Sequence, residues 1–392
     1  MQFKSRDFVH LHLHTDYSLL QSTIQLKPLA ARLKELEMKA CAITDYGNLY
    51  GAIGFYLAMK AAGIRPIIGY HAFFTLGSRF DRHLSVPAGE KPFYDLILLA
   101  KNNEGYQNLV YIASKAFTEG LYHKPRVDLE LLKTHSAGLI ALSGGPGGPL
   151  NHYLQNANEN SAVEVANKLL DVFDTSNFYI EIQENWQGAG GQINQQLASF
   201  AKRLGCGLVA TNDSHYLHSD DARARQALLC IGEGRTLSGH NGADFTGKRY
   251  VRSAAEMWEI FGDTYPEALT NTLKIAEECA LEIKTGPDNL QLPIFPIPDT
   301  SKAKTVDAYF EEVTRDGLET LKTETLQPLA SEGRLKYPLS AYYQRLEREI
   351  EIIKDMRYSG YFLIVWEFIK YAKERGIRGK LCAPDWPHRT RW

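Results

Sequence analysis

The stretch Val9-His10-Leu11-His12-Leu13-His14-Thr15-Asp16-Tyr17-Ser18 decides how the rest of the chain is read. Histidines alternate here with apolar residues, and strict alternation is the period of a strand, so His10, His12 and His14 are expected on one face. Imidazoles two residues apart at a strand end are close enough to grip one metal ion, and neutral imidazole is a common ligand for zinc and its neighbours. A plainer reading stands beside this one: a strand with a polar face. The remaining sequence is therefore read for residues that converge on this strand.

Short apolar, β-branched runs alternate with helical patterns over the first two thirds of the chain. Seven strands are expected, at 8–13, 40–44, 66–73, 93–100, 138–143, 178–182 and 207–211. Between them Leu26, Leu29, Ala30, Leu33 and Leu36, and then Leu109, Ile112, Ala113 and Ala116, recur at three-and-four spacing and give apolar helix stripes. Strand, helix and strand in this repetition imply an α/β fold, either a parallel sheet or a closed barrel with helices outside. In such folds the working residues sit at the C-terminal strand ends. Read in order, those ends carry His12 and His14, then Asp45-Tyr46-Gly47-Asn48, then His71, then Ser143-Gly144-Gly145, then Glu181, and last Asn212-Asp213-Ser214-His215; Asp95 lies within the fourth strand.

Asp213 and His215 repeat the one-residue spacing of His12 and His14. A seven-strand barrel sets its first and last strands side by side, so these four residues are expected to meet as metal ligands. The competing reading takes Thr211-Asn212-Asp213-Ser214 as a polar turn and helix cap, and Asp45 as the cap of a helix beginning near Leu49. The glycine-rich run 143–149 lacks the Lys-Ser/Thr of a phosphate loop and reads as a tight turn. Lys124, Arg126, Arg223, Arg225 and Arg235 read mostly as solvated surface.

The 392 residues give room for two or three domains, and a formal net charge of -2 neither supports nor excludes a nucleic-acid partner. The five cysteines are widely spaced and never in a Cys-X-X-Cys pair, which points to free thiols in a reducing compartment, the cytoplasm. No signal peptide is read at the start, and the most apolar run, 361–366, is too short to cross a membrane; it reads as a buried helix. Pro287, Pro293, Pro296 and Pro298 mark an extended joint and a domain boundary. Helices are expected at 220–231, 254–261, 266–279, 306–321, 340–356 (capped by Ser340) and 361–375.

His12-X-His14-Thr, Thr44-Asp45-Tyr46-Gly47-Asn48-Leu49, Ile67-Ile68-Gly69, Leu98-Leu99-Ala100-Lys101-Asn102, Gly105-Tyr106-Gln107-Asn108-Leu109 and Ala210-Thr211-Asn212-Asp213-X-His215 together resemble the alpha subunits of bacterial replicative DNA polymerase III, over almost the whole chain to about Ile377. The resemblance implies a distorted seven-strand (β/α) barrel of the polymerase-and-histidinol-phosphatase (PHP) type at 1–285. A proline-rich linker at 286–300 and the mainly helical start of a polymerase palm at 301–377 would follow. It also implies DNA and deoxynucleotides as substrates of the full-length form, magnesium at its polymerase site, and partners among the replicase subunits, including the proofreading exonuclease subunit.

Departures from the family pattern bear on mechanism. Metal-binding members hold up to three ions on about nine ligands, and His12, His14, Asp213 and His215 match. Five positions differ: Gln21 stands for an aspartate, Tyr46 for a histidine, His71 for a glutamate, Asp95 for a histidine and Gly145 for a cysteine or histidine. His71 and Asp95 are possible additional ligands. A trinuclear phosphoesterase centre is therefore expected to be broken, leaving room for one divalent ion, zinc or manganese. The residues 378–392 depart from the family's glycine-arginine loop and read as an aberrant tail, and the palm's catalytic aspartates are not found, so no polymerase activity is expected of these 392 residues alone. Two rival functions remain: a metal-dependent phosphoesterase or 3'-5' exonuclease, and a non-catalytic docking module for the proofreading subunit.

Overall fold

The structure is a computed structural model that describes residues 3–377 except 84–85, 87–88, 185–189, 238–246 and 286–291. Pro287 and the expected tail at 378–392 lie outside the described residues. Two units separate by contact, Met1–Ile283 and Lys284–Trp392.

The first unit contains β1 (Ala40–Ile43), β2 (Arg65–Phe74), β3 (Tyr94–Ala100), β4 (Leu121–Tyr122), β5 (Lys124–Val127), β6 (Leu139–Leu142), β7 (Phe178–Gln183) and β8 (Gly207–Thr211). β1 pairs with β2, β2 with β3, β3 with β6, β6 with β7 and β7 with β8. The histidine stretch closes this curled sheet into a ring. On one side Ala42 N donates to His10 O (2.8 Å) and Thr44 N to Leu13 O (2.8 Å); on the other His14 N donates to Ser214 O (2.9 Å) and Ser214 N to His12 O (3.2 Å). All seven expected strand segments thus take part, although the first forms only isolated bridges.

The ring departs from an all-parallel one at β3, which runs antiparallel to both β2 and β6. The described residues between β2 and β3 form no helix, so nothing carries the chain back to the starting end and it returns directly. The consequence is functional: the start of β3, with Asp95, lies at the rim where the parallel strands end. The ribbon of β4 and β5, with β5 parallel to Phe73 and Phe74 of β2, was not expected either.

Alternation sorts the strand residues into two layers. Val9, Leu11, Ala42, Ile67, Ile97, Leu99, Ile140, Leu142 and Val209 fill the interior, joined by Leu273, Ile275 and Ala276 of helix Pro266–Glu278. Cys41, Ile68, Tyr70, Leu98, Ala141, Ile180 and Leu208 face outward onto helices such as Leu26–Glu35 and Asn103–Thr118. Each fully buried leucine or isoleucine contributes about 1.5–3 kcal/mol relative to exposure.

That sorting corrects the shared face predicted for the three histidines. A bend at His12 breaks the alternation: Leu11 points inward, Leu13 joins the outer layer, and His12 and His14 turn inward together. His10 stays apart, with Nε2 2.9 Å from Arg252 O and its ring edge-on to Phe8.

Two arginines expected at the surface are buried. Arg126 reaches the carbonyls of Gly120 and Arg79, and Arg225 Nε donates to Gln21 O. Long side chains with several donors find carbonyls here instead of solvent.

In the second unit, helices Val306–Leu321, Leu339–Asp355 and Ser359–Glu374 gather around Phe295, Tyr309, Phe310, Ile350 and Leu363. Residues 292–298 are neither helix nor strand, in keeping with their prolines. Two expectations are corrected. Ser340 lies inside its helix, which begins at Leu339 after the extended Pro338, and of 361–366 only Leu363 is buried. Among the described residues no helix is long and apolar enough to cross a membrane.

Candidate metal centre

The seam between the histidine stretch and β8 brings the four expected ligands together. His14 Nε2 lies 3.3 Å and His12 Nε2 3.4 Å from Asp213 Oδ1. The ligand atoms of His14, Asp213 and His215 fall within 4.8 Å of one another, as do those of His12, His14 and His71. All five side chains are buried. Asp213 takes a left-handed backbone (φ 47°), tolerated better by aspartate than by most residues, which is a strain typical of sites where a side chain must be aimed.

Each imidazole of the quartet is held from behind. His12 Nδ1 is 2.7 Å from Glu181 Oε1, which also accepts from Gln183 Nε2 (2.9 Å) and Thr211 Oγ1. His215 Nδ1 is 2.8 Å from the backbone carbonyl of Asp213. His14 Nδ1 is 3.0 Å from Ser18 Oγ, which donates to Asp45 Oδ1 at 2.6 Å. Asp45 is thus not the cap of the following helix, which starts at Ala52 behind Gly51; its carboxylate instead accepts from Thr15 and Ser18. His14 also stacks on Tyr46 (ring centroids 4.0 Å) and on His215 (4.5 Å).

The charges favour a cation. Burial opposes a charge on His12, but the carboxylates of Glu181 and Asp213 outweigh it and raise its pKa to about 9. Burial drives His14 down to about 3 and His215 well below the usual range, with Asp213 offsetting only part of the cost. Asp213 would itself be raised by burial, yet the guanidinium of Arg249, His215 and His12 hold it far below the usual carboxylate range. Arg249 pairs with Asp213 Oδ2, and sequence reasoning missed it. Its segment, placed against the histidine stretch's partner through His215 N donating to Arg249 O (2.8 Å), is too short to show a periodicity.

The remaining positions divide. His71 Nε2 lies 3.1 Å from Asp95 Oδ1 and its Nδ1 3.4 Å from His14 Nε2, so both possible additional ligands adjoin the quartet. Gly145 has φ 54°, and a Cβ there would sit 2.7 Å from Gln183 Nε2, so the glutamine fills the space a ligand at 145 would need. The main chain of Gln21 accepts from Arg225, and its amide is a poor metal ligand.

Residues 10–185 match the PHP domain family, and residues 308–382 match the bacterial DNA polymerase III alpha NTPase domain. The chain is 38% identical over 398 residues to the DNA polymerase III subunit alpha of Helicobacter pylori, covering 95% of this chain and 31% of that protein. Over nearly its whole length this chain is similar to the N-terminal part of DNA polymerase III alpha subunits. The subunit alpha of Treponema pallidum is likewise 38% identical, over 372 residues, covering 94% of this chain and 30% of that protein. The chain thus spans about a third of the length of these alpha subunits, and it aligns with their N-terminal part. Among solved structures, an amidohydrolase from Chromobacterium violaceum shares 14% identity and a TM-score of 0.32, over 53% of this chain and 87% of that one; the likeness is too slight to bear on function.

Proposed function

We propose that the first unit holds one divalent cation, zinc or manganese, on His12, His14, Asp213 and His215, with His71 and Asp95 at its edge. We further propose that the unit serves the N-terminal part of a cytoplasmic polymerase that extends DNA from deoxynucleotides. One observation carries the metal reading: His12 Nε2, Asp213 Oδ1 and His215 Nε2 are buried side by side and none has a hydrogen-bond partner. Leaving such a group unsatisfied costs about 1–3 kcal/mol. A cation that takes lone pairs from Asp213 Oδ1, from His215 Nε2 and, once its proton is released, from His12 Nε2 removes that cost, and the donor set of three imidazoles and a carboxylate suits zinc or manganese. When bound, such an ion supplies Lewis-acid polarisation and a fixed positive charge.

Charge and space support one ion. The carboxylates that face the centre are Asp95, Glu181 and Asp213, and the last already carries Arg249. Three divalent ions would leave this pocket strongly positive. Gly145 and Gln21 add no ligand. In this reading the barrel is a support, not a hydrolase, and it also offers a docking surface to other replicase subunits, the proofreading exonuclease among them. Magnesium would serve the polymerase site of the full-length protein.

Metal analysis of the purified 392-residue chain, equilibrated with trace zinc or manganese, tests the reading. One equivalent is expected and none would overturn it. Phosphate release from a generic phosphoester, abolished in His14→Ala, would replace support by hydrolysis. Failure of the chain to co-purify with the proofreading subunit would remove the docking role.

A further inference from the structure

We infer that Ser18 and Asp45 are positioning residues for the metal centre, fixing which nitrogen of His14 carries its proton and so keeping Nε2 open to a cation. The inference rests on the one-ion reading above and deepens it.

Its basis is a count of hydrogens. A serine hydroxyl has one proton to give and two lone pairs to receive. Ser18 Oγ gives its proton to Asp45 Oδ1, 2.6 Å away. One lone pair takes the backbone N–H of Tyr46 at 3.0 Å. His14 Nδ1, also at 3.0 Å, faces the remaining lone pair and therefore has to donate. A neutral imidazole carries one N–H, so Nε2 is left bare on the side of Asp213 and His71.

Asp45 is fixed in turn. Thr15 N donates to its Oδ1 at 2.6 Å and Thr15 Oγ1 to its Oδ2 at 2.7 Å, and Thr15, Ser18 and Asp45 are all buried. Burial raises the Asp45 pKa, while these three donors pull it back.

Metal-ligating histidines characteristically give their second N–H to a carboxylate, a carbonyl or water. His12 has a carboxylate behind it and His215 a carbonyl, groups that only accept when ionised or neutral respectively. His14 alone of the three has a hydroxyl, which can turn and donate instead. Asp45 removes that freedom: by holding the hydroxyl proton it makes Ser18 an obligatory acceptor. A mobile hydroxyl would let Nε2 carry the proton and present N–H to the cation.

The test uses the full 392-residue chain with cobalt(II) as probe and three variants, Ser18→Ala, Ser18→Thr and Asp45→Asn, each checked for folding by circular dichroism. Nitrogen-15 NMR of the metal-free, histidine-labelled chain reads the His14 tautomer, and competition with a chelator reads cobalt affinity. Wild type and Ser18→Thr, which keeps the hydroxyl, should show the Nδ1–H form. Ser18→Ala and Asp45→Asn should lose it and bind cobalt about 10–100-fold more weakly, the range for removing a group behind a ligand. An Nε2–H form in the wild type overturns the inference, as does wild-type affinity in both Ser18→Ala and Asp45→Asn. A wild-type chain that binds no cobalt sinks the one-ion reading; the tautomer measurement, made without metal, still decides the relay.

Discussion

His14 Nε2 and Asp213 Oδ1 face each other across 3.3 Å at the seam where the first and last segments of the ring meet. Both residues are buried, and Asp213 Oδ1 has no hydrogen-bond partner. Removing either should therefore cost more than removing a group that only orients a ligand, a loss of about 10–100-fold. His14→Ala and Asp213→Asn are each expected to weaken zinc or cobalt binding by more than about 100-fold, read by calorimetry. Binding within tenfold of wild type in His14→Ala would show that the cation sits elsewhere.

Much of this site was legible because it sits on repeated local patterns. Spacing alone paired His12 and His14 with Asp213 and His215, and seven apolar runs gave the ring that brings them together. What escaped depended on events between elements. The bend at His12 removed His10 from the face, the direct return of β3 brought Asp95 to the rim, and carbonyls drew Arg126 and Arg225 inside. Ser18, Thr15 and Arg249 act through partners far away in sequence, and no local spacing announces them.

Gly105 shows how a sequence motif acquires a physical reason. It opens helix Asn103–Thr118, and a Cβ there would lie 1.9 Å from the carbonyl oxygen of Gly138. The neighbour is backbone, held by Lys101 N donating to Gly138 O (2.8 Å), so it cannot swing aside as a side chain would. Gly105→Ala should destabilise the first unit by about 2–4 kcal/mol, toward the upper range of overpacking effects, despite alanine's better helix propensity. Denaturant unfolding measures it; an unchanged midpoint would mean that the helix and the turn separate at little cost.

The thiols make a pH prediction. Burial pushes Cys206 up to about 11 and Cys279 up to about 12, and it raises Cys41 further. The thiolate is the reactive form, so at pH 8 a thiol with a pKa near 11 is ionised to about 0.1% and is slow toward disulfide reagents. In a background with both Cys230→Ser and Cys382→Ser the native chain should react slowly at pH 8. The Cys206 rate should rise about tenfold for each pH unit up to about 11, since the ambient pH stays below its pKa. A rate that levels off near pH 8.5 would show that Cys206 is solvated like a free cysteine.

Arg249 sets the last prediction, because its guanidinium holds Asp213 Oδ2 while a cation would take Oδ1. Two positive charges on one carboxylate repel, and the guanidinium also lowers the basicity of the carboxylate it pairs with. Replacing Arg249 by Gln keeps a donor of similar reach and removes the charge. The repulsion is screened because the Arg249 side chain remains 17% exposed, so the gain should be modest: cation affinity about tenfold tighter, or about 1.4 kcal/mol. The metal-free fold should lose stability in the same variant, since the buried Asp213 carboxylate is left without its guanidinium countercharge. Calorimetric titration of Arg249→Gln beside its thermal melt separates the two effects. Weaker binding in the variant would mean that Arg249 aims Asp213 at the cation more than it repels it.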